Sequence, residues 1–112
     1  MKLKFKINNE TTLDDALEEL EKIKKCNLKE LPMNHLVKIM EFIGVEPLSG
    51  AGGSGLRFRH ECLVDEPYFT DGIFQVHRIH KGGAEIKIRI HDYKKYLYPT
   101  LIKIISIKKQ KI

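Results

Sequence analysis

Apolar residues change their spacing partway along the chain. Leu13, Ala16, Leu17, Leu20 and Ile23 recur every three or four positions after Thr11 and Thr12, which places them on one face of a helix. A threonine cap, Asp14 and Asp15 in the first turn and lysines in the last all suit the helix dipole. A second stripe, Met33, Leu36, Val37, Met40 and Ile43, starts just after Pro32 and ends at Gly44, the residue type that most readily terminates a helix. Ahead of both, Lys2 to Ile7 alternates basic and apolar residues and predicts a short strand.

VEPLSGAGGSG, Val45 to Gly55, predicts a loop, and beyond it the period falls to two. LRFRHECL, FQVHRIH and EIKIRIH predict three strands. From about Tyr96 to Lys109, Leu97, Leu101, Ile104 and Ile105 return to helical spacing, with Pro99 in the first turn, where proline is tolerated. Helix, three-stranded meander and helix therefore follow one another after residue 30. The class is α+β, with helices packed on one face of an antiparallel sheet.

Side-chain parity then assigns the faces. Leu56 and Phe58 alternate with Arg57 and Arg59, and Ile86, Ile88 and Ile90 alternate with Lys87, Arg89 and His91. A three-residue loop, Gly82 to Ala84, pairs Val76 with Ile90 and His77 with Arg89. A two-residue Gly82–Gly83 turn would put Val76 among the charges, so the hydrophobic pattern selects the longer loop. The solvent face then carries Arg57, Arg59, Gln75, His77, Lys87, Arg89 and His91, a surface suited to phosphate. His60 and His80 fall on the inward parity, and His35 lies near the start of its helix.

Composition narrows the compartment and the chemistry. The chain has 112 residues, enough for one modest core, with 42% hydrophobic and 31% charged residues. Twenty Lys and Arg against fifteen Asp and Glu leave a net charge of +5, compatible with a polyanion partner and equally with an ordinary solvated surface. Cys26 and Cys62 fit no metal or redox spacing and are expected as buried free thiols in a reducing cytoplasm. No run is long enough to span a membrane, and no signal sequence is recognisable. His77 and His80 have ligand-like spacing but point to opposite faces of a strand, so no metal is expected. No phosphate-loop lysine follows the glycines, and no cofactor is implied.

Two stretches carry a family resemblance. GSGLRFRH, Gly53 to His60, follows a helix ending in EFIG, and IRIHDYKKYLYPTLIKII, Ile88 to Ile105, places His91 nine residues before Thr100–Leu101. In order and spacing, from about Met33 to Ile107, they resemble the HicA-type (YcfA-like) toxins, small mRNA interferases with a fold like the double-stranded-RNA-binding domain. The resemblance implies an α-β-β-β-α domain over residues 31–112, with residues 1–30 as an N-terminal strand-helix extension. It implies RNA as substrate, cleavage without metal, and an antitoxin protein as partner. It also places the loop of Gly53, Ser54 and Gly55 at the functional edge of the sheet, where backbone amides approach phosphate. Lys94 and Lys95 correspond to phosphate-contacting lysines of the broader fold.

The chain departs from that pattern at the residue that matters most. Gly55 occupies the position of the family's catalytic histidine, and the segment from Glu61 to Gly83 is longer than the usual turn. Cleavage through the 2′-hydroxyl needs a base, an acid and a cation near the phosphorane. His77 and His91, beside Arg57, Arg59 and Arg89, are the candidates to replace the missing group. The alternatives are a non-catalytic nucleic-acid-binding domain of the same fold and a protein-interaction module that recruits a partner through its strand edges.

Overall fold

Helix α1 (Leu13–Lys24) begins at a reciprocal capping box. The Thr12 hydroxyl accepts the Asp15 amide at 3.2 Å, and the Asp15 carboxylate accepts the Thr12 amide at 2.9 Å. Two otherwise orphaned donors are thereby satisfied, and Ala16, Leu20 and Ile23 are buried along one face. The computed structural model describes residues 7–48, 55–79 and 86–111. The expected strand from Lys2 lies almost wholly outside them, as do Gly53, Ser54, His80 and the Gly82–Ala84 turn.

A short strand, β1 (Glu30–Pro32), precedes α2 (Asn34–Phe42). Three residues are too few to display a period, so the sequence pattern does not reveal it. Gly44, at φ +87°, ends α2: the Val45 amide donates to the Met40 carbonyl at 2.8 Å and the Gly44 amide to Glu41 at 3.0 Å. This is the Schellman arrangement, with Val45 and Met40 both buried. The expected apolar stripe needs one correction, since Val37 is 46% exposed and Ile39 is buried in its place.

Among the described residues, five strands form two small antiparallel sheets. β2 (Glu46–Leu48), where a loop is predicted, pairs with β3 (Gly55–Arg59), which pairs with β4 (Ile73–His77). β5 (Lys87–Arg89) pairs with β1. A bridge between Arg78 and Ile88 and a 2.8 Å bond from the Ile79 amide to the Lys87 carbonyl join the two sheets. The order across both is β2-β3-β4-β5-β1. The bridge has the register selected by the hydrophobic pattern, in which His77 faces Arg89.

Each of the three strands expected for the meander is shorter than predicted. β3 stops at Arg59 because His60 turns inward and caps a 3-10 turn (Glu61–Leu63). Its ring is buried, with Nε2 2.7 Å from the Ile43 carbonyl and Nδ1 accepting the Cys62 amide at 2.9 Å. Nε2 must therefore carry the proton in a neutral ring, and His60 ties the end of α2 to the end of β3. Asp71 (φ +54°) and Gly72 (φ +72°) form a type I′ turn, closed by the Ile73 amide on the Thr70 carbonyl at 3.0 Å, that leads into β4.

β5 passes directly into helix. α3 (Ile90–Asp92) and a π-helical turn (Tyr93–Leu97) lead into α4 (Tyr98–Gln110), so the helical run begins at Ile90 rather than at Tyr96. Pro99 has no N–H for a carbonyl of the preceding turn and would crowd it, and the wider turn, bonded from the Tyr98 amide to the Tyr93 carbonyl, accommodates it. Leu97, Leu101, Ile104 and Ile105 are buried as expected.

One core takes side chains from α1, α2, α4 and all five strands except β2, which contributes none that is fully buried. Tyr93 is fully buried and its hydroxyl donates to the Leu20 carbonyl at 2.7 Å, so α1 is fastened to the C-terminal helical run. Tyr98, which donates to the Glu21 carboxylate, has its pKa pushed up to about 12, first by burial and then by that carboxylate. Cys26 and Cys62 are free, as expected, but half-buried rather than buried. Among the described residues no helix is long and apolar enough to cross a membrane.

Two predictions follow from the turns and from His60. A Cβ on Gly72 would stand 2.4 Å from the His60 carbonyl oxygen, against 3.3 Å from the His60 ring for one on Gly44. Urea unfolding should therefore show Gly44→Ala losing about 1–2 kcal/mol, the left-handed penalty, and Gly72→Ala losing more; the reverse order would contradict the turn geometry. Burial lowers the His60 pKa below its ordinary 6.5. As pH falls below 6.5 the unfolded chain takes up this proton first, so stability present above that pH is lost toward the folded value. The urea midpoint should drop between pH 7 and 5, and drop less in His60→Gln; equal slopes would contradict a neutral native ring.

Candidate nucleic-acid interface

The outer face of the sheet is fixed by what lies on the inner one. Phe58 and Phe74 pair directly across β3 and β4 with ring centroids 5.6 Å apart and are buried, as is Val76 opposite Leu56. Strand alternation then turns Gly55, Arg57, Arg59, Gln75 and His77 outward. Through the Arg78–Ile88 bridge, Lys87 and Arg89 join the same face. Six of the seven residues expected on that surface are thus brought together.

His91 is the exception. β5 ends at Arg89, and His91 lies in α3, exposed, after the chain has begun to coil. The expected pairing of two histidines on one strand surface is therefore corrected: among the described residues, His77 is the histidine the sheet's outer face presents. The reason is local, because Ile90, Tyr93 and Leu97 are already at helical spacing and the buried Tyr93 anchors the turn. Lys94 and Lys95 also project from the helical run, in the π turn, with the Lys95 ammonium 5.3 Å from the centre of the Tyr96 ring.

Gly55 faces His77 across the ladder. The nearest atoms to a Cβ built there belong to the Gln75 amide group, at 3.6–3.7 Å, which is ordinary contact. The surface would hold a larger residue at position 55, and glycine leaves it open beside His77, whose Nε2 is 3.5 Å from Gln75 Nε2.

The two unexpected strands alter the electrostatics. Glu46 of β2 stands opposite Arg59, and Glu30 of β1 stands opposite Arg89. Arg59 is also engaged by Asp71, its Nε donating to the Asp71 carbonyl at 3.1 Å and its guanidinium lying 3.6 Å from the carboxylate. Arg57 and Lys87 face Leu48 and Pro32 in those pairings. The face is cationic, but less so than parity alone implies. Asp71–Gly72 between Thr70 and Ile73 is a readable turn signal that would have exposed the Arg59 contact. Glu30 and Glu46 sit in strands too short to be read.

Both outer strands contain proline, Pro32 in β1 and Pro47 in β2. The Met33 amide donates to Ile86 and the Ile90 amide to Lys29. By alternation Pro32 lies at a position whose backbone is directed to the open edge, where it offers no N–H. Such edges are poor templates for an added strand, which weighs against partner recruitment by strand addition. Among the described residues, no cluster of three or more His, Cys, Asp or Glu is gathered to hold a metal ion.

No protein-family model, curated protein or solved structure matches the chain.

Proposed function

We propose that this chain is an RNA-binding domain in which the outer face of β3, β4 and β5 receives the phosphate backbone. The single observation that carries this reading is the common outward placement of Arg57, His77, Lys87 and Arg89 around the open position at Gly55. The order α2, β3, β4, β5, α4 agrees with a double-stranded-RNA-binding-type α-β-β-β-α core, to which β1 and β2 are additions. The resemblance to HicA-type toxins supports the same reading, with an acidic partner protein competing for the face as an antitoxin would.

Binding without cleavage is the form of this proposal that the residues favour. The family's catalytic position is Gly55, and His91 belongs to a helical turn rather than to the sheet beside His77. A base and an acid are both needed to cleave at the 2′-hydroxyl, and among the described residues the sheet face supplies one histidine. His77 beside Arg89 keeps the catalytic reading alive as the second one.

Native-gel retention of labelled single-stranded and double-stranded RNA, without metal, separates the two. Retention should fall steeply with salt, and Arg57→Ala or Arg89→Ala should each weaken it and reduce the salt slope by about 1. The RNA should remain intact. Cleavage that vanishes in His77→Ala would replace the binding reading with the catalytic one. Absence of retention at low salt would refute both.

A further inference from the structure

Beside the outer face lies a cleft of about 610 Å³, open to solvent, between the Glu66–Phe69 segment and the start of the C-terminal helical run. Its distinctive lining is Tyr68, Phe69, Gln75, Lys95, Tyr96 and Lys103. Tyr68 is 87% exposed and Tyr96 48%, high values for aromatic side chains, which ordinarily bury most of their surface. Tyr68 is braced edge-on by Phe69 at 5.2 Å between ring centroids, and Lys95 stands beside Tyr96. Lys103 is paired with Glu66 at 3.3 Å on the opposite wall.

We propose that this cleft is a nucleobase-binding site, taking one base of a single-stranded RNA together with its phosphate. The inference rests on the RNA-binding reading above and deepens it by locating where a base is held. Exposed tyrosine rings offer the stacking platforms that single-stranded nucleic acid uses. Gln75 lines the cleft from β4, and Lys95 supplies a cation for the phosphate. The volume is ample for a nucleotide, being within the usual range of small-ligand sites.

Position joins the cleft to the sheet. Gln75 both lines the cleft and shares the outer face with His77, two residues and roughly 7 Å further along β4. The wall bearing Tyr68 belongs to the Glu61–Gly83 segment, the part of this chain that is longer than the HicA-type pattern, so the site is a property of this sequence and not one carried over from that resemblance.

Calorimetric titration with uridine and adenosine 5′-monophosphates, and with ribose 5-phosphate as a control lacking the ring, tests the site directly. At least one nucleotide should bind tenfold or more tightly than ribose 5-phosphate. Tyr68→Ala and Tyr96→Ala, both at exposed positions, should each weaken nucleotide binding about tenfold, in line with the loss of a stacked base. Lys108→Ala, on α4 outside the cleft, should leave it within twofold. Equal binding of ribose 5-phosphate, no effect of either tyrosine change, or a proline-rich peptide binding here while nucleotides do not, would each overturn the proposal. If RNA is retained by Arg89-dependent contacts while nucleotides bind nowhere, the cleft inference alone fails. If nucleotides bind the cleft but RNA is not retained, the base site stands and the backbone-binding face fails.

Discussion

Burial of Phe58 against Phe74 sets the register of β3 and β4 and, with it, the identity of the surface. A slip of either strand by one residue would carry its ring into water and bring Arg57, or Gln75 and His77, into the core. Arginine is rarely buried unless paired, so the two errors reinforce each other and the register is strongly specified. The Arg78–Ile88 bridge extends the same constraint to β5. The outer face is therefore the necessary complement of the core, and its cations are clustered because the inward positions exclude them.

The helices hold this sheet from behind through a few polar anchors in an otherwise apolar core. His60 fastens the end of α2 to the turn after β3, and Tyr93 fastens the C-terminal helical run to α1. Each gives a buried polar side chain a backbone partner, satisfying a group that would be costly to leave unpaired. The Tyr93 anchor also accounts for the early start of the last helix. It draws the chain off the sheet just after Arg89, and so removes His91 from the face where strand periodicity would put it.

Long periodic segments were legible from sequence. The apolar faces of α1 and α4, the Gly44 stop and the inward parity of Phe58, Val76 and Ile88 all follow from periods of 3.6 or 2. What escaped was short or depended on partners distant in sequence. β1 and β2 have three residues each, and proline in both disguises them as loops. Their consequence for the site is substantial, because Glu30 and Glu46 enter the basic face through them. The Tyr68 and Tyr96 cleft was equally hidden, since its walls meet only after the chain folds. Exposed tyrosines outside the apolar period are the one trace it leaves in the sequence.

The proposed polyanion binding belongs to the outer sheet face and not to another basic surface. α4 offers the natural rival, with Lys103, Lys108 and Lys109, although Lys103 and Lys109 are engaged by Glu66 and Asp14. Amide chemical-shift mapping with a short single-stranded RNA decides between them. Shifts concentrated at Arg57, Gln75, His77, Lys87 and Arg89 are the predicted result. Shifts centred on Lys108 and Lys109, with the sheet unmoved, would contradict it.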